Sequence, residues 1–334
     1  MKDTTAKVVR FNQTGDASVL NIEQLPVLHP GDNEVRIKVV AIGINRADVM
    51  FRNGAYLEAP QFPSKLGYEA SGIIECVGNN VDTFKIGDRV STIPAFSMGQ
   101  YGVYGERVIV PVEAVEKCPR SFSMEQSAAI WMQYITAYGA LIDIGQLQPG
   151  QTILITAASS SVGVAAIHIA KNLGAIVVAS TRGESKKQFL LSQGADHVIQ
   201  TDTEDLVTAM ATITNHCGAE LIFDPIGGPI LSQLAEVAAM AGRIIEYGAL
   251  DTAPTPYPLF TALAKGLIIQ GYTIFETSKE KDKLSAAKAY LFPLFEDNKI
   301  TPVIDKVFSF DDIQDAHRYM ESNQQKGKII VSMN

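Results

Sequence analysis

The sequence predicts an α/β protein made of a β-rich part and a part with a doubly wound parallel sheet, and three observations carry this. From residue 6 to about 130 the chain runs through short strand-like stretches, AKVVRF, LNIEQL, EVRIKVVAIGI, GIIECVG, RVSTIPAF and ERVIVP, broken by Gly, Pro and Asp. After about residue 134, the apolar runs TILIT, AIVVAS, HVIQ, ELIFD, RIIEYG and LIIQGY alternate with helical segments. That rhythm belongs to a parallel sheet covered on both faces. Near residue 280 an amphipathic helix, KDKLSAAKAYLFPLFEDNK, leads into DKVFSF, DDIQDAHRYMES and a last strand, GKIIVSM, which the β-rich part is expected to reclaim. The expected division is 1–133 with 277–334 for the β-rich domain, and 134–276 for the parallel-sheet domain.

Within the first part, Val35, Ile37 and Val39 alternate with Arg36 and Lys38, the period of a strand with one wet face. Within the second, Val162, Ala165, Ala166, Ile169 and Leu173 fall at helix spacing over 162–173. With 334 residues, 46% of them hydrophobic and 19% charged, the chain can bury a large core and is long enough for two domains. MKDTTAKVVRF lacks the apolar stretch of a signal peptide, and no run approaches the roughly 18 apolar residues of a membrane span. A cytoplasmic location and no membrane partner are the resulting expectations. A net charge of −8 argues against nucleic acid, which needs a basic face. Cys76, Cys118 and Cys217 are too far apart for a CxxC metal site and odd in number, so they are read as reduced.

The stretch TAASSSVG, residues 156–163, joins a strand-like run to a helix-like run where a dinucleotide-binding loop would carry three glycines. Only Gly163 remains of them, with the small residues Ala158 and Ser160 at the other two places. The loop still opens a helix whose N–H groups and dipole attract anions, and Ser159, Ser160 and Ser161 bring hydroxyls beside Val162 and Gly163. A serine-rich helix cap without a ligand would read the same. The alternating strands and helices that follow, and DPIGG at 224–228 after a third strand, favour binding. An NAD site places an acid about 20 residues beyond the loop, to accept from the ribose 2′-hydroxyl. Here Ser180, Thr181 and Arg182 offer donors instead, which suits the 2′-phosphate of NADPH. Glu184, two residues on, is the alternative ribose ligand if it turns inward.

These blocks resemble the medium-chain dehydrogenase/reductase superfamily, in its zinc-free quinone oxidoreductase, or zeta-crystallin-like, branch. The likeness rests on VVAIGINRADVMFRNGAY, LGYEASGIIECVGNNVDTFKIGDRV, YGERVIVP, QYITAYGALI, the loop, ADHVI, DPIGG and GKIIV. It implies a GroES-like catalytic domain formed by both chain ends and an inserted Rossmann domain. Where the zinc alcohol dehydrogenases have a Cys followed three positions on by Asp, this chain has Asn45 and Asp48. Where they have Gly-His-Glu, it has Gly67, Tyr68 and Glu69, and the third ligand position falls near Met132 or Gln133. No set suited to tetrahedral zinc survives, so no metal site is expected.

The resemblance further implies Asn45, Tyr56 and Thr136 as catalytic residues beside the nicotinamide, with Asn45 supplying amide donors and Tyr56 a proton. Tyr56 as a packed turn aromatic is the plainer alternative. Lys186 matches a family lysine that contacts the 2′-phosphate, and Tyr247 and Gly248 complete the expected cofactor-binding set. Tyr68 is read equally as structure or substrate contact, and Asp48 and Glu69 as held in hydrogen bonds inside the domain. Trp131 and Tyr134 are read as lining the cleft or, by preference, sealing the domain junction, and His168 as structural. The leading expectation is an NADPH-dependent reductase of a small-molecule quinone or α,β-unsaturated carbonyl. A 2-enoyl-thioester reductase and a non-catalytic NADPH-binding redox sensor are the alternatives. The apolar run at 267–274 would be an exposed sheet edge in a monomer, so a homodimer through that strand is expected.

Overall fold

The computed structural model describes residues 5–333. The chain forms two compact units, one ending at Met132 and resumed from Phe292, the other spanning Gln133–Leu291. The second boundary, expected at 276/277, is thus corrected to Leu291/Phe292. The reason lies in one continuous helix, Lys281–Glu296. Its early turns belong to the second unit, where Lys283 pairs with Asp143 and Tyr290 packs on Tyr138. Its last turn belongs to the first, where Phe295 packs against Phe122 and Trp131.

In the first unit a seven-stranded sheet is centred on the long strand Glu34–Ile44. Val35, Ile37 and Val39 are buried while Lys38 between them is exposed, as the alternation requires. Glu34–Ile44 pairs antiparallel with Glu69–Val77, with Arg107–Pro111 and with the tail strand Lys328–Ser332. Both chain ends therefore build one domain, the GroES-like arrangement that the resemblance implies. This pairing also brings Lys328 to the end of the strand that leads into Asn45.

The second unit holds a six-stranded, wholly parallel sheet. Its spatial order is His197–Gln200, Ile176–Thr181, Thr152–Ile155, Ala219–Asp224, Ala238–Glu246, Ile268–Gly271. Numbered along this unit the order is 3-2-1-4-5-6, that of a Rossmann domain, which takes its ligand outside the strands' carboxyl ends where the order reverses. Here that switch point lies between Thr152–Ile155 and Ala219–Asp224. DPIGG accordingly follows the fourth strand of the sheet rather than the third. Leu154, Val178, Ile199, Ile222 and Ile244 from the strands pack with Leu206, Met210, Leu231 and Leu234 from the helices as one buried cluster. Among the described residues no helix is long and apolar enough to cross a membrane.

Candidate active site

The nucleotide loop begins where the strand Thr152–Ile155 ends. Its turn needs a left-handed residue, Ala157 at φ 44°, and then buries Ala158 completely. Ser160 caps the helix Ser161–Leu173, its Oγ accepting from the Gly163 N–H at 3.1 Å. One serine oxygen is therefore occupied by the cap. The first amides of a helix have no partner within it, so those of Ser161 and Val162 are available to an anion. Gly163 is required by close approach, since a Cβ there would lie 2.5 Å from the Ala158 carbonyl oxygen and 2.6 Å from its Cα. The surviving glycine is thus the one that lets the helix pack on the loop.

Across the switch point the Thr156 hydroxyl donates to Asp224, whose carboxylate also accepts from the Gly227 and Ile226 amides at 2.7 and 3.0 Å. Asp224 and Glu246 are register partners on neighbouring strands. Burial, then the charge of Asp224, pushes the Glu246 carboxyl well above the usual carboxylate range. The half-buried Tyr247 stacks on Phe223 with ring centroids 3.9 Å apart, and Gly248 lies exposed just beyond it.

At the end of the second strand, Ser180 is buried and its carbonyl accepts from the Ala158 N–H at 3.1 Å, which ties this strand end to the loop. Arg182 is exposed and Lys186 half-buried on the helix Glu184–Ser192. Glu184 is exposed, and its Oε2 accepts from the Gln200 amide at 2.6 Å. Thr136 is buried in the helix Trp131–Tyr138 of the same unit, where Tyr134 bonds His168 at 2.9 Å.

In the first unit Asn45 precedes the helix Arg46–Arg52, and its N–H donates to Asp48 at 2.8 Å. Both donors of its amide are engaged, by the Gly43 carbonyl at 3.2 Å and by Glu69 at 3.1 Å. The expectation that Asn45 offers free amide donors is corrected, because a buried amide satisfies itself locally. Its Oδ1 receives the Lys328 ammonium at 2.6 Å, and Lys328 also pairs with Glu69. Glu69 completes its set by accepting the Met132 N–H at 2.9 Å. Asp48 accepts from the Tyr104 hydroxyl at 2.9 Å, and burial pushes its carboxyl up to about 7. Asp48 and Glu69 are thus held inside the domain, as expected.

Lys328 is the residue that sequence reasoning passed over. Its available signal was a lysine opening the otherwise apolar strand KIIV, on a block already matched to the family. Asn45, Glu69 and Met132, three of the positions matched to zinc-ligand motifs, surround or adjoin an ammonium that has three donors and no lone pair to give a metal. That donor set does not fit zinc, which takes thiolate, imidazole or carboxylate ligands.

Trp131 donates to the Ser91 hydroxyl at 2.9 Å in the core of the first unit, while Tyr134 is fully buried in the second. Both are fully buried and lie on either side of the boundary at Met132/Gln133. Tyr56 is half-buried, and burial pushes its phenol up to about 12.

Comparison with known proteins agrees with this geometry. The alcohol dehydrogenase GroES-like domain matches residues 31–120, and the zinc-binding dehydrogenase family matches residues 193–331. The human synaptic vesicle membrane protein VAT-1 homolog is 29% identical over 318 residues, covering 90% of this chain and 79% of its own length. The crystal structure of Escherichia coli quinone oxidoreductase complexed with NADPH has a TM-score of 0.91 at 28% identity, covering 98% of this chain and 99% of that one. Human quinone oxidoreductase is 30% identical over 327 residues, covering 97% of each chain. With both domains matched and that identity held across nearly the whole length, the chain belongs to the medium-chain dehydrogenase/reductase superfamily, in its quinone oxidoreductase-like branch.

Proposed function

We propose that this protein is an NADPH-dependent, zinc-independent cytoplasmic reductase that passes hydride to a quinone or to an α,β-unsaturated carbonyl. The observation that carries the reading is the pair of adapted sites: a dinucleotide loop with donors at the 2′-position, and an ammonium-centred cluster at the positions matched to zinc-ligand motifs. NADPH supplies the hydride when bound, and the protein supplies position and electrostatics. An electron-poor acceptor takes hydride without a Lewis acid if a donor meets the oxyanion that develops. The test is NADPH consumption with a quinone, an enone and an enoyl-CoA in turn, before and after dialysis against a chelator. Turnover of the first or second, unchanged by the chelator, is expected. Turnover of the enoyl-CoA alone would make it a 2-enoyl-thioester reductase, and binding without any turnover a redox sensor.

The choice of NADPH over NADH rests on Ser180, Arg182 and Lys186, the donors at the end of the second strand. Arg182→Glu is expected to weaken NADPH binding by about 1.5–3 kcal/mol, the range for hydrogen bonds to charged groups, and NADH far less. Equal affinity of the unaltered protein for NADH and NADPH, measured by fluorescence titration, would return the ribose role to Glu184.

We further propose a two-fold dimer through the outermost strand of the parallel sheet. Ile268–Gly271 has a neighbour on one side only, with Ile268 exposed, and Phe260 and Leu263 on the nearby helix Leu259–Lys265 are 84% and 70% exposed. Pairing with the same strand of a second copy satisfies the open backbone groups and covers these side chains. Sedimentation at micromolar protein is expected to give a dimer, and a monomer would dismiss the arrangement.

A further inference from the structure

Tyr68, at the position matched to the zinc-ligating histidine, is almost wholly buried, with 1% of its surface exposed. Its backbone is fixed from three sides. The Thr92 hydroxyl donates to its carbonyl at 2.8 Å, the Val103 N–H donates to the Gly67 carbonyl at 3.1 Å, and Gly67 itself sits at φ 98°. A Cβ on Gly67 would fall 2.1 Å from the Tyr104 ring, so only glycine permits this approach. The Tyr68 ring is then wedged between Phe96, with centroids 5.7 Å apart, and Tyr56, at 6.3 Å and tilted by 58°. Its hydroxyl is hydrogen-bonded to that of Tyr56.

The two phenols differ in access: Tyr56 is half-buried, whereas Tyr68 has 1% of its surface exposed. Tyr56 is therefore the one that can give its proton to a bound molecule, and Tyr68 is the one left to donate to the Tyr56 oxygen. Each phenol carries one proton. Once the Tyr68 proton is directed at the Tyr56 oxygen, the proton of Tyr56 points elsewhere and is free for another acceptor. Asp48 and Glu58 are the charged groups that bear on Tyr56, and both oppose its ionisation. Tyr68 alone favours it.

We propose that Tyr68 is a positioning residue, a fixed hydrogen-bond donor that orients the Tyr56 hydroxyl and stabilises the phenolate left when Tyr56 gives up its proton. The proposal rests on the reading of the protein as a reductase of quinones or activated carbonyls. As the acceptor carbon gains hydride, its double-bond electrons shift to the carbonyl oxygen. The O–H bond of Tyr56 breaks towards that oxygen, forming a new O–H bond there. The Tyr56 phenolate keeps the electron pair, holds the Tyr68 proton as a hydrogen bond, and is reprotonated from water after the product leaves. Tyr68 never loses its own proton in this sequence.

Tyr68→Phe preserves the ring in its aromatic wedge and removes only the donor. With the best acceptor it is expected to lower kcat by about ten- to a hundredfold, the scale of one hydrogen bond to a charged group, leaving KM and NADPH affinity nearly unchanged. In a Tyr56→Phe background the same substitution is expected to cost nothing further, because the two act as a unit. Titration of Tyr56 by NMR of labelled tyrosine is the second readout and does not depend on turnover. Its phenol should ionise at higher pH in Tyr68→Phe than in the unaltered protein. An unchanged Tyr56 titration would overturn the proposal whatever the substrate, as would an equal loss from Tyr68→Phe with and without the Tyr56 hydroxyl. If the titration shifts while no acceptor is reduced, the tyrosine pair stands and the reductase reading fails.

Discussion

Replacing Lys328 by Met is expected to lower the free energy of unfolding by about 3–5 kcal/mol, the cost of removing one partner from a buried ion pair. Lys328 and Glu69 have 0% and 1% of their side chains exposed, so neither can fall back on water. The substitution leaves a buried Glu69 whose remaining donors are the Asn45 amide and the Met132 N–H. It also leaves the Asn45 Oδ1 without its ammonium partner. The large effect comes from these abandoned groups, because the pair itself pays desolvation on both sides. Lys328→Met with Glu69→Gln should therefore recover much of the loss, since the second change removes the stranded charge. Urea unfolding of the three variants checks this. A single-mutant loss below about 1 kcal/mol, the scale of an exposed pair, would mean that water reaches the cluster.

This cluster also marks where the sequence is mute. Lysine is among the residues least often fully buried, and Lys328 lies 259 positions from Glu69 in the chain. No local pattern announces such a pair; only the antiparallel pairing of the tail strand with Glu34–Ile44 creates it. The strands themselves are legible because their periodicity is local. EVRIKVVAIGI alternates and becomes Glu34–Ile44, and the apolar runs after residue 150 become the parallel strands at their expected places. The seam at Leu291/Phe292 is not legible, because one amphipathic helix buries Ala287 and Leu291 in one unit and Phe295 in the other. Composition does not change where the packing partner does.

The nucleotide loop shows the same division. Its position after a strand and before a helix is readable, and so is the lone glycine that must pack on Ala158. That Ser160 spends an acceptor on capping Gly163 is not, since a capping serine and a phosphate-binding serine are the same residue in the same place. Asn45 misleads for a related reason. An amide beside a helix start is chemically able to face a substrate, and only the folded partners Gly43 and Glu69 show that its donors are taken.

Tyr56→Phe is expected to lower turnover by about two to three orders of magnitude, the usual cost of losing a donor that acts chiefly on the charge developing in the transition state. Burial pushes the Tyr56 phenol up to about 12, with Asp48 and Glu58 adding to the shift. The hydroxyl is therefore protonated throughout the neutral range and able to donate, and the fall in turnover should be the same from pH 6 to pH 8, roughly, well below that value. Because the interaction is made in the transition state and not in the ground state, kcat and kcat/KM should fall together while KM stays. Affinity for NADPH should also persist, since the substitution removes a proton donor to the acceptor and none of the groups proposed to hold the dinucleotide. Steady-state kinetics with the best acceptor, alongside a direct NADPH titration, separate these effects. Turnover equal to that of the unaltered protein would return Tyr56 to aromatic packing against Tyr68, and the proton would then have to come to the acceptor from water.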